Sequence, residues 1–156
     1  MSNVDLHRQV TAKLKRVEQR YTYRRRQIVE LLYNMGQPVH IPEILQANPS
    51  LAQSSVYRNL AVLEQADVVR RVITSDPHAR YELAEDLTHH HHHLICTGCG
   101  AVHDVVLPGD VEHMLDESLE GVARSNGFTL AQHRLDLLGL CASCRGSASQ
   151  HADTLG

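Results

Sequence analysis

Five consecutive histidines, His89 to His93, run directly into Leu94-Ile95-Cys96-Thr97-Gly98-Cys99, and a second Cys-x-x-Cys, Cys141 and Cys144, follows near the C-terminal end. These four cysteines are the only ones in the chain. Two Cys-x-x-Cys pairs with nothing left over fit a tetrathiolate zinc site better than a secreted disulfide framework. Thioredoxin-type redox chemistry is the rival for a lone pair, but it does not account for two copies beside a histidine run. Cys96, Cys99, Cys141 and Cys144 are therefore the candidate structural zinc ligands.

If the histidine run is extended, alternate side chains point to opposite faces, so His91 and His93 share one face while His90 and His92 share the other. On either face the Cα atoms lie roughly 6.5–7 Å apart, a gap that two imidazoles can close onto one ion. One strand can then serve two metal ions, each completed from elsewhere. Glu82 and Asp104 are the candidates for the His91/His93 face, and Glu112 and His133 for the His90/His92 face. Nitrogen with carboxylate oxygen suits iron, zinc, manganese, cobalt or nickel, and these donor types do not choose among them. A cloning tag is not expected in mid-chain ahead of Leu94-Ile95-Cys96. His7, His78, His103, His113 and His151 read as surface or locally hydrogen-bonded residues.

The elements that position these residues are legible from periodicity. Leu6, Val10, Leu14 and Val17 recur at spacings of three and four, which predicts an amphipathic helix over Val4 to Arg20. Thr22 is placed to cap a second helix that turns Ile28, Val29, Leu31, Leu32 and Met35 inward and stops at Gly36. Pro42 and Asn48-Pro49 bracket a third, and Ser54 or Ser55 caps a fourth that runs to about Ala66. The last two helices make a helix-turn-helix. Strand-like runs Val69–Thr74 and Arg80–Leu83, joined by a turn at Ser75–His78, add a wing. In a winged helix-turn-helix the fourth helix enters the major groove by its N-terminal residues, which puts Tyr57 and Arg58 within reach of base edges or phosphates.

Beyond a linker at 85–88 the pattern becomes strand (His90–Thr97), strand (Ala101–Leu107), helix (Gly109–Ser125) and long strand (Phe128–Leu140). One face of that helix is apolar, with Val111, Met114, Leu115, Leu119, Val122 and Ala123. The expected fold class is α+β, with a winged-helix domain over 1–84, a small α/β dimerisation domain over 89–146 and a disordered tail over 147–156. The second unit is too small to bury a comfortable core alone, which favours pairing with a second copy.

Composition agrees with this division. Residues 1–83 carry 12 Lys/Arg against 8 Asp/Glu, whereas residues 84–156 carry 3 against 10 and nine of the twelve histidines. A basic half able to face nucleic acid is joined to an acidic half rich in metal ligands. No apolar run approaches the roughly 18 residues of a membrane span, and the N-terminus lacks the order of a signal peptide, so the expected compartment is cytoplasmic.

Taken jointly these residues resemble the ferric uptake regulator (Fur) family of bacterial metal-dependent repressors over roughly residues 10–145. The resemblance rests on Thr22-x-x-Arg25-Arg26, Ser55-Val-Tyr-Arg-Asn-Leu60, Tyr81-Glu-Leu, the histidine run with Leu-Ile-Cys-x-x-Cys-Gly, and His133 with Cys141-x-x-Cys144. It implies a structural zinc on the four cysteines and a regulatory site of Glu82, His91, His93 and Asp104 between the domains. A further site of His90, His92, Glu112 and His133 would lie within the dimerisation domain. It also implies DNA-binding residues Ser55, Tyr57 and Arg58, with Arg20 in place of a basic residue that reaches the minor groove. Two departures stand out. Many members add a histidine from the DNA-binding domain where this chain has Val39, with His40 one residue later. Iron-type members often carry aspartate at the position of His92, and the extra nitrogen leans that site toward zinc. The peroxide-sensing branch usually has aspartate where this chain has Glu82, which favours a metal sensor.

The implied function is a homodimeric, metal-responsive repressor of metal-homeostasis genes, bound to a near-palindromic double-stranded operator and carrying structural zinc plus a regulatory iron, zinc, manganese or nickel ion. A peroxide-sensing regulator is the alternative within the family. A metal-dependent hydrolase needs an open coordination position and a spare acid or base. The chain offers ligands enough to close both sites, so no enzyme activity is expected.

Overall fold

The structure, a computed structural model, describes residues 3–74 and 79–146. The expected wing turn at Ser75–His78 and the tail over 147–156 lie outside the described residues.

Helix α1, Asn3–Arg16, buries Leu6, Val10 and Leu14 completely. It stops four residues before the expected Arg20, because the chain turns at Val17 and Glu18, whose N–H groups bond back to Leu14 and Lys15 while Glu18 takes a positive φ of 56°. Helix α2, Tyr23–Met35, has the ends its sequence predicts. Thr22 Oγ1 accepts from the Arg25 N–H at 3.4 Å, and Gly36 closes the helix at φ +60° with its N–H on the Leu32 carbonyl.

A short strand β1, Val39–His40, precedes α3, Ile41–Ala47, with Pro42 in its first turn. Two residues are too few to show an alternation, so β1 is not foreseen from periodicity. Helix α4, Gln53–Gln65, begins ahead of the expected serine cap: Ala52 is the capping residue, and the Ser55 N–H already bonds to the Ala52 carbonyl. Leu51 and Val56, buried in the same core, stand at the two positions of a hydrophobic staple, which fixes the entry to α4 without a side-chain cap.

Strands β2, Val69–Val72, and β3, Arg80–Leu83, pair antiparallel with Arg70 opposite Glu82, and β1 joins the other edge of β3. A three-stranded sheet of order β1-β3-β2 thus backs the helices as a winged helix. The expected linker is a 3-10 turn, Glu85–Leu87, whose Leu87 is fully buried in the same core.

The second sheet has the order β5-β4-β6, from β4 (His92–Cys96), β5 (Val102–Val105) and β6 (Asp136–Gly139). β4 runs antiparallel to β5 and parallel to β6. The long strand expected over Phe128–Leu140 is confined to its last part. β4 starts only at His92, where its ladder with β5 begins opposite Val105, and β6 only at Asp136, opposite His93. Helix α5, Gly109–Ser125, buries no residue. Its expected apolar face is left open by its own chain, with Met114 and Val122 each 61% exposed. What core this unit has is Ile95 and Val102 packed with Val72 of β2, so wing and second sheet share a hydrophobic contact. Among the described residues no helix is long and apolar enough to cross a membrane.

Candidate metal centres and nucleic-acid face

Three groups of ligand-type side chains converge, each with its donor atoms within 4.8 Å of one another: Cys96, Cys99, Cys141 and Cys144; Glu82, His91, His93 and Asp104; and His90, His92, Glu112 and His133. They are the three sets read from the sequence.

None of the four cysteines is in a disulfide. Cys96 ends β4, Cys99 follows in the turn, Cys141 immediately precedes a helical turn over 142–146, and Cys144 lies within it. Four thiolates bound at roughly 2.3 Å to a tetrahedral zinc stand about 3.8 Å from one another. Cys99 Sγ and Cys141 Sγ are 3.8 Å apart. Gly98 passes so close that a Cβ there would lie 3.0 Å from Cys144 Sγ, so a larger residue would press Cys144 aside by a few tenths of an ångström. The Cys141 N–H donates to Cys96 Sγ at 3.3 Å and, with the Cys99 and Gly98 amides, holds that thiol down to about 6. The adjoining thiols push Cys144 up to about 12, since a second thiolate this close is opposed until a cation joins them. Donor chemistry and geometry both fit zinc.

In the second group one carboxylate oxygen, Glu82 Oε2, lies 3.0 Å from His93 Nε2 and 3.3 Å from His91 Nε2. Asp104, opposite His93 in the β4–β5 register, approaches both imidazoles at 3.9 Å. The remaining ring nitrogens are occupied: His91 Nδ1 bonds to the His89 carbonyl at 2.7 Å and His93 Nδ1 to Asp136 at 3.1 Å. Each ring is thereby locked with Nε2 facing the cluster, the usual outer support of a metal-bound imidazole. Burial pushes Glu82 up, but the two imidazoles outweigh it and hold the carboxyl down to about 2; reciprocally, Glu82 lifts His91 to about 9. His40, which stands at the N-cap of α3, does not join this group.

In the third group Glu112 takes His90 Nε2 and His92 Nε2 at 2.9 Å each and has His133 Nε2 at 3.2 Å. His92 is 1% exposed. The His133 Nε2 atom is buried without a properly directed hydrogen bond, an orphan that a metal would satisfy. Its Nδ1 lies 3.1 Å from Asp116, and His90 Nδ1 is bonded to Glu85. Strand alternation therefore divides the histidine run as expected. What the sequence did not reveal is the outer shell of Asp136, Asp116 and Glu85. Asp116 carried a signal, being one helical turn beyond Glu112; Asp136 did not, because only the parallel β4–β6 register sets it beside His93.

On the winged unit, Tyr57 is 52% exposed and Arg58 and Arg20 are also exposed. Ser55 is 8% exposed, and its Oγ accepts from the Asn59 amide at 3.2 Å. Asn59 Oδ1 in turn accepts from Arg25 at 3.3 Å, and Arg25 donates to Gln19 and to the Arg20 carbonyl. Ser55 thus ends a relay that fixes the turn presenting Arg20.

A sequence profile of the Ferric uptake regulator family matches residues 16–138. The chain is 32% identical over 108 residues to the ferric uptake regulation protein of Bacillus subtilis, covering 69% of each. It is 33% identical over 135 residues to the peroxide operon regulator of the same organism, covering 84% of this chain and 88% of the relative. Among solved structures, the Helicobacter pylori ferric uptake regulator Fur, described as having three functional metal binding sites, superposes with a TM-score of 0.70 at 25% identity, covering 93% and 95% of the two chains. The chain belongs to the ferric uptake regulator family of metal-responsive, DNA-binding transcriptional regulators, which are not enzymes.

Proposed function

We infer that this regulator is a homodimeric repressor whose posture on DNA is set by a metal ion held between its two units. The observation that carries the reading is Glu82. It belongs to β3 of the wing, yet its carboxylate sits between two imidazoles of β4, so any ion bound there ties the wing to the second unit. A divalent ion supplies positive charge that lets Glu82 and Asp104 approach the neutral rings together. The chain's own part is to hold both Nε2 atoms inward through the His89 carbonyl and Asp136. Metal then acts only through its greater affinity for the arrangement that fits the operator.

The four cysteines hold a structural zinc in this reading, and His90, His92, Glu112 and His133 hold a further ion that the added nitrogen of His92 inclines to zinc. The regulatory ion is iron, zinc, manganese or nickel. Three clusters in this chain parallel the three metal sites described for the Helicobacter pylori relative. The domains divide at the 3-10 turn, into 1–84 and 89–146, and the site of action is the cytoplasm, where thiols stay reduced. Tyr57 and Arg58 contact the operator's major groove and Arg20 its minor groove, while Ser55 acts through Asn59 and Arg25.

Relatives named for ferric uptake and for the peroxide operon are similar to this chain at 32% and 33% identity. Glu82, in place of aspartate, favours the metal sensor. The test is operator selection from random duplex with iron(II), manganese(II), zinc(II) and nickel(II) in turn, followed by chelation and by hydrogen peroxide. One metal should support tight binding, chelation should release the DNA, and peroxide should not. Operator affinity indifferent to removal and return of the exchangeable metal, with the cysteine-bound zinc retained, would overturn the reading.

A further inference from the structure

Glu85 belongs to none of the three ligand sets, yet it stands between two of them and the wing. Its backbone is fixed in the 3-10 turn anchored by Leu87. One carboxylate oxygen bonds to His90 Nδ1, on the far side of the ring from Glu112. The other lies 3.6 Å from Arg70 Nη1. Arg70 is on β2, directly opposite Glu82 in the ladder, and its Nη2 donates to Gln132 Oε1 at 3.1 Å, beside His133. Arg70 also lines a small cleft shared with Glu82, His91, His93 and His133.

Exposed ion pairs do little, but Glu85 and Arg70 are only 22% and 27% exposed, and each has a second partner that fixes its geometry. Asp67, at 4.0 Å from Arg70, is the looser alternative partner and is 67% exposed. The path therefore runs from the His90 cluster through one carboxylate to the strand that pairs with Glu82.

We propose that Glu85 and Arg70 couple the two histidine clusters, so that metal at His90, His92, Glu112 and His133 raises metal affinity at Glu82, His91, His93 and Asp104. This rests on the reading of both clusters as metal sites. Coordination through His90 Nε2 makes Nδ1–H a stronger donor to Glu85. A firmly held Glu85 fixes Arg70, and Arg70 fixes β2 against β3, so Glu82 is already placed when the second ion arrives. Ordering that one ion has imposed is ordering the other need not impose. Glu85 and Arg70 are positioning residues and touch no metal.

The experiment is cobalt(II) titration of the full chain with its cysteine-bound zinc retained, following visible absorption. His133→Ala removes the His90 cluster and Glu82→Ala removes the other, so each affinity is read separately. In the unsubstituted protein the Glu82 cluster should bind cobalt at least about fivefold more tightly than in His133→Ala, within the usual range of site coupling. Glu85→Ala should weaken the His90 cluster by about 10–100-fold, as loss of an outer-shell carboxylate does, and abolish the coupling. Arg70→Met should leave the His90 cluster within about threefold and still abolish the coupling. Glu85→Gln keeps an acceptor for His90 but turns an amide NH2 toward Arg70, so it too should lose the coupling while folding normally by circular dichroism.

Coupling that survives in both Arg70→Met and Glu85→Gln sinks the proposal while leaving both metal sites standing. Two cobalt ions bound with no effect of His133→Ala on the Glu82 cluster does the same. Cobalt uptake at only one cluster in the unsubstituted protein overturns the coupling together with the metal reading of the other.

Discussion

At the cluster of Glu82, His91, His93 and Asp104 a proton stands where the proposed metal would bind. Glu82, held at about 2, and His91, raised to about 9, form a charged pair in the metal-free protein. The stability contributed by the lowered carboxyl is present above its ordinary value and fades as pH falls toward about 2; that contributed by the raised imidazole is complete below about 6.5 and is gone above about 9. At neutral pH the pair is intact, and a metal must displace the His91 proton to use Nε2. Calorimetry at about pH 7.5 in two buffers of different ionisation enthalpy should therefore show roughly 0.7 proton more released than at about pH 9.5. Equal proton release at both pH values would show that His91 is not the group displaced. The outer shell makes a second demand: Asp136→Ala frees His93 Nδ1 and should weaken metal at this cluster by about 10–100-fold while leaving the His90 cluster unaffected. At this scale the grouping of the histidines was legible because strand alternation sorts a histidine run without reference to the fold. Asp136 was not, because its position depends on which strand β4 pairs with.

At the scale of elements, legibility followed chemistry that is local. Thr22 and Gly36 mark the ends of α2, because a hydroxyl cap and a left-handed residue act within one turn. The start of α4 was misplaced because a staple between Leu51 and Val56 depends on burial, which the candidate serines next to it conceal. β1 escaped notice because its two residues are a strand only in being added to β3. The turn after β4 shows the most constrained of these local choices. In Gly98→Ala the new methyl would lie 3.0 Å from Cys144 Sγ and 3.1 Å from Cys144 Cβ, so the second cysteine pair must move away. Zinc should then be lost to a chromophoric chelator at least about tenfold faster than from the unsubstituted protein, the order of effect that disturbed support of a metal ligand produces. Gly36→Ala is the control: it meets nothing within 4 Å but is strained at φ +60° and should cost about 1 kcal/mol in thermal or denaturant unfolding without touching zinc release.

The whole molecule is asymmetric in how it is finished. The winged unit closes a continuous core, whereas the second unit buries little beyond Ile95 and Val102 and borrows Val72 from the wing. Its apolar side chains face outward instead: Leu138 is 70% exposed, Phe128 73%, and Met114 and Val122 61% each. Exposed apolar surface on this scale marks an interface. The same deficit was visible in the sequence as an amphipathic helix with too few partners, and a single chain cannot reveal what completes it. The proposed second copy would satisfy two observations together, the open face of α5 and the strand β6 that ends one edge of the sheet, and it would repeat the DNA-binding unit at a fixed separation. Charge placed on that face should act at a distance. Leu138→Glu and, separately, Val122→Glu should give monomers in analytical ultracentrifugation while the winged unit keeps its helical signal and the second unit keeps the zinc on its cysteines. Each monomer presents one recognition helix, so its operator affinity should fall and its dependence on salt should fall with it, by about 0.9 in log–log slope for every phosphate no longer neutralised. Dimers that persist in both of these variants would place the interface elsewhere. A monomer that keeps the full salt slope would mean that one winged unit neutralises all the phosphates by itself, and the two-fold reading of the operator would have to be given up.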